Sequence, residues 1–479
     1  MMATLETITG GFGAALLTTI AVTIAACGGG GDGSDFAPGA GPAASSKDDG
    51  SGASGGFGKG AASAAPASTD CTGLECKQVA CAGGATTSLS GKVFDPSGTV
   101  PLYNAIVYVP NADLAPFAEG VTCDQCGTVP SGKPIATALT DSKGDFVLKN
   151  VPAGVDFPLV VQIGRWRRKV TVPAVAQCTD TPLDADHTRL PRTKAEGEIP
   201  KIAIATGGAD SLECFVRKLG VESEMTNPDG GGRVHLYQGK RSGQDGARID
   251  GSTPAGNVLW DDAARLKTYD IVILSCEGAE NNDTKSSGAR DNIKSYLDAG
   301  GRLFASHFHY TWFKNGPSPL DTTAKWGNDS GSEGSRDVSA DTSFAKGQAL
   351  SEWLGAVGAS SSPGVVPMTD LKSSITGVPG KGASADTSRR WLYTGSAPKF
   401  YSFNTPIGTA PAQQCGRGVY TDIHVSSGDA SGGTFPGNCT TSGFTAQEKA
   451  LLFLMMDLAS CIQDDSKPHT APPPSTPVK

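Results

Sequence analysis

Hydrophobic and polar residues follow two different rhythms along the chain. Between Thr87 and Val175 they alternate with a period of two, as in Ala105 to Val109, and turn residues interrupt the alternation at short intervals. This pattern predicts the short strands of an all-β sandwich. From Glu198 to Ile462 the rhythm changes to strand, turn and helix. That change predicts an α/β domain with a doubly wound, mostly parallel sheet.

Short apolar runs mark the strands of the predicted α/β domain. They are Lys201 to Ala205, Tyr269 to Leu274, Arg302 to Ala305 and Gly418 to Val425. Amphipathic spacing predicts helices from Ser211 to Leu219 and from Ala289 to Ala299. Thr445 and Glu448 have the spacing of a capping box, which predicts the start of a closing helix.

The two ends of the chain lack this periodicity. An apolar run from Ala14 to Ala26 has the length of a signal-peptide core, and it ends at Cys27 in a sequence that resembles a lipobox. No Lys or Arg precedes the run, which departs from the usual export signal, and an ordinary cleaved signal is the alternative. Gly28 follows the cysteine, and by resemblance to lipoprotein sorting rules it points to the outer membrane.

Composition then divides the chain into segments. Residues 28–70 are rich in Gly, Ala and Ser, which predicts a disordered tether. The Pro-rich residues 464–479 predict a disordered tail. We therefore expect a signal peptide and lipobox over 1–27, the tether over 28–70, the sandwich over 71–180 and the α/β domain over 198–463.

Charge and cysteine content limit the possible functions and cellular location of the protein. A net charge of −8 argues against non-specific nucleic-acid binding. Twelve cysteines favour an oxidising compartment and disulfides. Without Cys27 an odd number remains, so at least one thiol is free or pairs between chains. Cys415 and Cys439 bracket the last predicted strand and are the first expected pair. A zinc site is an alternative for the N-terminal cysteines, which are Cys71, Cys76, Cys81, Cys123 and Cys126.

Polar side chains of the kinds that bind ligands follow two strands of the predicted parallel sheet and lie within the last one. They are Glu277, His307, His309, Asp422 and His424. Ligands bind beyond the carboxyl ends of strands in such sheets, so we expect these residues to share one cleft. Residues two apart on a strand face the same side, so His307 with His309 and Asp422 with His424 would each offer two ligands to Zn or Fe(II). The alternative is that these side chains are buried, hydrogen-bonded and structural.

Two resemblances follow from particular motifs. Gly91-Lys92-Val93, Thr140 to Phe146 and Val151 to Gly154 resemble the carboxypeptidase regulatory-like domain, a transthyretin-type sandwich whose fold class is shared with some carbohydrate-binding domains. The order of elements from Ile202 to His424 resembles the trehalose-utilisation family of the class I glutamine-amidotransferase-like superfamily, which implies a flavodoxin-like sheet. Ser306-His307-Phe308 stands where that superfamily has its nucleophilic cysteine, so glutaminase activity is not expected.

Three further features leave alternatives open. Cys276 is either a nucleophile beside His307 or, in an exported protein, a disulfide partner. The basic run Arg165 to Lys169 is either a charged edge strand or a surface on which Trp166 stacks against a glycan. The insertion from Thr311 to Ala345 is either a lid over the cleft or an ornamental loop.

The sequence therefore favours a cell-envelope lipoprotein that is anchored in a lipid membrane and acts as a binding or structural module, with a glycan or small polar molecule as its ligand. The alternative is an exported enzyme that acts on a carbohydrate or small polar ligand at the His and Asp site, with or without a metal ion.

Overall fold

The computed structural model describes residues 71–240, 245–327, 331–425, 428 and 432–475. The predicted signal peptide, Cys27 and the predicted tether lie outside this part of the chain. No helix in the described ranges is long and apolar enough to cross a bilayer.

The N-terminal part is built from two sheets in which most neighbouring strands are antiparallel. Its strands are β1 (Ser88–Lys92), β2 (Ile106–Pro110), β3 (Pro134–Leu139), β4 (Asp145–Lys149), β5 (Gly154–Ile163), β6 (Trp166–Val175) and β7 (Asp180–Pro182), followed by the helix α1 (Ala185–Thr188). The sheet orders are β4-β1-β7 and β3-β2-β5-β6. Leu89 and Leu148 of the first sheet share a hydrophobic core with Val107 and Leu159 of the second. This arrangement agrees in part with the predicted sandwich.

The remaining strands belong to the C-terminal part. They are β8 (Ile202–Ala205), β9 (Met225–Thr226), β10 (Val234–Tyr237), β11 (Ile271–Leu274), β12 (Arg302–Ser306), β13 (Lys325–Trp326), β14 (Gly334–Ala340), β15 (Val365–Leu371), β16 (Ile375–Gly377), β17 (Arg389–Thr394), β18 (Ala397–Thr405) and β19 (Gly416–Thr421). The helices are α2 (Leu212–Arg217), α3 (Asn257–Trp260), α4 (Ala263–Leu266), α5 (Ser287–Asp298), α6 (Thr311–Lys314), α7 (Ala345–Ala356) and α8 (Ala446–Ala459).

One large mixed sheet organises these elements in the order β15-β14-β17-β18-β19-β12-β11-β8-β10-β9. The strands from β19 to β9 are parallel, and those from β15 to β18 add antiparallel pairs. The sheet is therefore mixed rather than mostly parallel. β14 lies within the predicted insertion, so part of that segment is a sheet strand and not a loop. The predicted capping box is present at the start of α8, where Thr445 and Glu448 bond each other's backbone.

Disulfides and ion pairs join the two parts. Cys123–Cys415 and Cys126–Cys461 link a loop of the N-terminal part to the large sheet and the end of α8. The guanidinium of Arg165 lies 2.5 Å from the carboxylate of Asp270. Trp166 is only 2% exposed, so the alternative in which it stacks on a glycan is wrong, whereas β6 does lie at the edge of its sheet. The first residue of the basic run, Arg165, instead forms an ion pair between the N-terminal and C-terminal parts.

The disulfide prediction needs a correction at the C-terminal end. Cys415 and Cys439 are not bonded to each other, because Cys415 pairs with Cys123 and Cys439 pairs with Cys214. Cys71–Cys76 and Cys81–Cys178 complete the bonds in the described residues, so the N-terminal cysteines do not form a zinc site. Cys276 is the free thiol of this part of the chain.

The segment after α8 packs against the fold, in contrast to the predicted disordered tail. Asp465 is buried and lies 2.8 Å from the ammonium of Lys346 and 3.0 Å from the guanidinium of Arg417. Farther along, the backbone N–H of Ser475 donates to the carbonyl of Pro134. Two buried cations therefore hold the beginning of this segment in place.

Replacing Asp465 tests that anchor. We expect Asp465→Asn to lower the free energy of unfolding by about 3 to 5 kcal/mol, because it leaves buried cations with less countercharge. The neighbouring Asp464→Asn is the matched control, since that side chain is more exposed and bonds Ser466. Urea denaturation of both variants measures the difference. Equal stability of the two variants would show that the segment is not anchored.

Peptide mapping of the full chain without reduction tests the cross-links. We expect Cys123 joined to Cys415 and Cys126 joined to Cys461, with Cys276 recovered as an unpaired thiol. A Cys123–Cys126 bond would contradict the structure, as would a Cys415–Cys439 bond.

Candidate functional site

Three parallel strands deliver the candidate side chains to one edge of the large sheet. Leu274 of β11 pairs with Ala305 of β12, whose next residue pairs with Thr421 at the end of β19. His307 is therefore the first residue after β12, and Cys276 is the second residue after β11. His424 lies three residues beyond β19. The register brings the ends of these strands together and places one thiol and two imidazoles near the same edge.

These three residues form a compact group, here named the Cys-His cluster. The thiol sulfur of Cys276 lies 3.3 Å from Nδ1 of His307. The ring centroids of His307 and His424 are 5.1 Å apart. One ligand atom from each residue lies within 4.8 Å of the others. Cys276 has no exposed surface, and each histidine is 3% exposed. The cluster is thus shielded from bulk water.

A carboxylate from the antiparallel half of the sheet reaches His424. A backbone bridge between Leu371 and Ile423 brings the end of β15 beside the loop after β19. Oδ2 of Asp370 then lies 3.3 Å from Nδ1 of His424, and Oδ1 lies 2.5 Å from the ammonium of Lys372. The contact with His424, together with Lys372, holds the pKa of Asp370 well below its usual range. Asp370 is therefore an ionised partner that orients the imidazole.

Asp210 ties together the ends of three strands. It follows β8, and its carboxylate accepts the hydroxyl of Ser306 at 2.6 Å and the backbone N–H of Val425 at 3.0 Å. Burial raises the pKa of this carboxyl group, while His424 acts against the rise. Asp210 fixes the backbone on both sides of the cluster, since Ser306 precedes His307 and Val425 follows His424.

The backbone at His307 adopts an unfavourable conformation. Its φ is 41°, in the left-handed region that costs a residue with a Cβ about 1 to 2 kcal/mol. The hydroxyl of Tyr420 lies 2.8 Å from the carbonyl oxygen of His307 and bonds that turn to β19. This sharp turn after β12 directs the imidazole toward Cys276.

Mutual charge stabilisation sets the protonation of the cluster. Burial acts to raise the pKa of Cys276, but the charge of His424 and the hydrogen bonds of both histidines lower it to about 6. Burial acts to lower the pKa of His424, but Cys276, Asp210 and Asp370 raise it to about 10. The pKa of His307 is also raised, against burial, by its bond to Cys276. The favoured state at neutral pH is a thiolate beside an imidazolium.

This arrangement supports two kinds of chemistry. A thiolate beside an imidazole with a carboxylate partner is the pattern of an activated nucleophile. A thiolate with two imidazoles is also a donor set for Zn²⁺. Both uses need the same sulfur atom, so they exclude each other at any moment.

His309 and Glu277 do not join the cluster. His309 lies in the helical turn after β12, donates from Nε2 to the carbonyl of Ser275 and accepts at Nδ1 from the indole N–H of Trp312, both at 2.9 Å. Glu277 is 1% exposed and pairs with the ammonium of Lys285 at 2.5 Å. Both side chains have protein partners, and these bonds hold them in structural roles.

Asp422 also differs from its prediction as a ligand. Its Oδ2 accepts the backbone N–H groups of Ser374 and Ile375 at 2.8 and 3.0 Å, and its Oδ1 lies 2.8 Å from the hydroxyl of Tyr420. The expected pairing with His424 fails because both residues lie beyond β19, where side chains no longer alternate. The same reason separates His309 from His307.

Sequence reasoning missed Asp210 and Asp370 and favoured a disulfide for Cys276. Asp210 follows the first parallel strand, so its position at the same edge was a usable signal. The sequence held no such signal for Asp370, because its strand joins the sheet through antiparallel pairing far along the chain. Cys276 could be identified as the free thiol only once the disulfide partners of the other described cysteines were known.

Comparisons with known proteins supply no relative. No known family profile and no curated protein matches the chain. Similar solved structures include chains from an N-terminal and a C-terminal interface mutant of a type II cohesin–X-dockerin complex from Acetivibrio cellulolyticus. They are 14% identical, cover 30% and 29% of this chain and 78% and 75% of their own, and have a TM-score of 0.15. At that score neither structure carries an argument about fold or function.

Stability measurements separate structural residues from the cluster. We expect Asp422→Ala to cost about 1 to 3 kcal/mol, because buried N–H groups of Ser374 and Ile375 lose their acceptor. Cys276→Ser should cost less than about 1 kcal/mol, because a hydroxyl can take the place of the thiol and still bond His307. Urea denaturation gives both values. The opposite order would assign Cys276 a structural role and Asp422 a dispensable one.

Proposed function

We propose that the protein is an exported, envelope-anchored enzyme in which Cys276 is the nucleophile, His424 the general base and Asp370 the residue that orients His424. The observation that carries this proposal is the convergence of a free thiol, two imidazoles and a carboxylate in a protein whose other described cysteines form disulfides.

The contacts define the roles. Nδ1 of His424 faces Asp370, which leaves Nε2 to accept the thiol proton of Cys276. The resulting thiolate attacks an electrophilic carbon, and the imidazolium returns the proton to the leaving group. Water then releases the bound product from the sulfur. His307 adds a second hydrogen bond to the thiolate.

Burial defines the substrate class. Because Cys276 has no exposed surface, a macromolecule cannot reach its sulfur in this conformation. We therefore propose a small polar substrate with an activated carbonyl group, which approaches during local opening of the site. This proposal retains the small polar ligand that the sequence predicts. It assigns the chemistry to Cys276 and Asp370 rather than to His309 and Asp422.

The fold assignment belongs to the same proposal. When the two-residue edge strand β9 is set aside, the parallel strands follow the spatial order β10-β8-β11-β12-β19, which is the 2-1-3-4-5 order of flavodoxin-like sheets. This order supports the resemblance to glutamine-amidotransferase-like domains. The turn with positive φ after β12 holds His307 instead of a cysteine, and the thiol comes from the neighbouring strand. We accordingly propose no glutaminase activity.

An activated ester tests the nucleophile. With p-nitrophenyl acetate we expect a burst of nitrophenolate of about one equivalent per chain, because the acetyl group stays on Cys276 until water removes it. Cys276→Ser should abolish the burst, and His424→Asn should slow it at least about tenfold.

His187→Asn serves as the control, since His187 lies on α1 and bonds Asp184 away from the cluster. Its burst should equal that of the unmodified chain. A burst that does not depend on Cys276 would contradict the enzyme proposal and favour the non-catalytic binding module.

Lipid anchoring at Cys27 is the remaining part of the proposal. The disulfides are consistent with an extracellular or periplasmic location. Cys27→Ser should abolish incorporation of labelled fatty acid and move the protein from the membrane to the soluble fraction. An unchanged distribution between the fractions would exclude the anchor.

A further inference from the structure

We infer that the Cys-His cluster is a binding site for a soft divalent cation, Zn²⁺ by preference, with Cys276, His307 and His424 as its three protein ligands. The site and the metal go beyond the proposed nucleophile. The regulatory consequence drawn below rests on that proposed function, whereas metal binding itself does not.

The donor atoms have nearly the spacing that the ion requires. With Zn–S near 2.3 Å and Zn–N near 2.0 Å, a tetrahedral ion holds its ligand atoms about 3.3 to 3.6 Å apart. The sulfur of Cys276 already lies 3.3 Å from Nδ1 of His307, and the ligand atoms of the group lie within 4.8 Å of one another. Closing the longest gap needs a movement of about 1 Å, which side-chain rotation supplies.

The kinds of donor select the metal. Thiolate and imidazole prefer Zn²⁺ and similar soft or borderline ions, while Mg²⁺ and Ca²⁺ prefer oxygen donors. Oxygen donors close to the cluster already have protein partners, as shown by the bonds of Asp422 to Ser374 and Ile375. His309 is likewise occupied at both ring nitrogens. Three protein ligands therefore remain, which leaves a fourth position open.

The surroundings of His424 fit a metal ligand. Asp370 lies on the Nδ1 side of the imidazole, the outer contact that commonly orients metal-bound histidines. Nε2 of His424 is buried, and the imidazole bonds the sulfur of Cys276, which is the first donor of the site. An ion bound by that sulfur is therefore within reach of the imidazole, which releases its proton when it becomes a ligand.

Metal binding would regulate the proposed chemistry. The sulfur of Cys276 that attacks a substrate also coordinates the ion, and coordination withdraws electron density from it and lowers its nucleophilicity. Zn²⁺ is therefore expected to inhibit the nucleophile reversibly and to protect it from alkylation. Removal of the ion by a chelator restores the free thiolate.

Two measurements on the full chain test the site. After treatment with a chelator and desalting, one equivalent of Zn²⁺ is added, and bound metal is measured after gel filtration. We expect about one ion per chain, with affinity at least about tenfold weaker in Cys276→Ser and His424→Asn and unchanged in His187→Asn. Replacement by Co²⁺ should give a thiolate-to-metal charge-transfer band that is absent from Cys276→Ser. Circular dichroism confirms that each variant is folded.

Alkylation separates this inference from the proposed function. Iodoacetamide should modify Cys276 in the metal-free protein, at least about tenfold more slowly with Zn²⁺, and at the original rate after chelation. Modification that Zn²⁺ does not slow, with no ion bound, would overturn the metal site and leave the nucleophile standing. A bound ion with a thiol that stays inert after chelation would support the metal site and overturn the nucleophile. Zinc binding that is unchanged in Cys276→Ser would also overturn the site.

Discussion

The hydrogen-bonded register of β11, β12 and β19 is the constraint on which the rest of the site depends. Because these strands run parallel, the segments that leave them begin at the same edge of the sheet. Asp210 then holds two of those segments by bonds to Ser306 and Val425. Without that register, a thiol and two imidazoles separated by up to 148 positions in the chain, from Cys276 to His424, would have no reason to meet. Their contact is a property of strand pairing rather than of local sequence.

Bringing these groups together creates an electrostatic problem, since buried charge is costly without compensation. The cluster meets it in the way that other buried charges in this fold do, by pairing. Glu277 has Lys285, and Asp465 has Lys346 and Arg417. The charges in those pairs are compensated within the protein, and the pairs stabilise the fold. The pair of Cys276 and His424 differs because its sulfur can give up its proton or accept a cation, and Asp370 keeps the imidazole turned toward it.

Much of the sheet could be predicted from short apolar runs, and the strands β8, β11, β12 and β19 lie within or overlap the predicted ranges. His307 and His424 could be predicted as neighbours because the sequence pattern places both at the carboxyl ends of parallel strands. His309 and Asp422 could not be separated from them, since alternation applies only inside a strand and both pairs lie beyond strand ends. The pairing of Cys415 with Cys123 was also out of reach. It depends on how the N-terminal part packs on the large sheet, which the spacing of cysteines does not encode.

The oxidising setting implied by the disulfides bears on the state of Cys276. A thiolate in such a compartment is exposed to oxidation and exchange, and the risk grows with its reactivity. Because Cys276 is completely buried, other thiols cannot reach its sulfur. None of the disulfides in the described residues involves a residue next to Cys276 in the sequence. Burial does not exclude small oxidants, however. A bound cation would coordinate the same sulfur and lower its reactivity, so a site that binds metal at rest and releases it for reaction reconciles a reactive thiol with an oxidising environment.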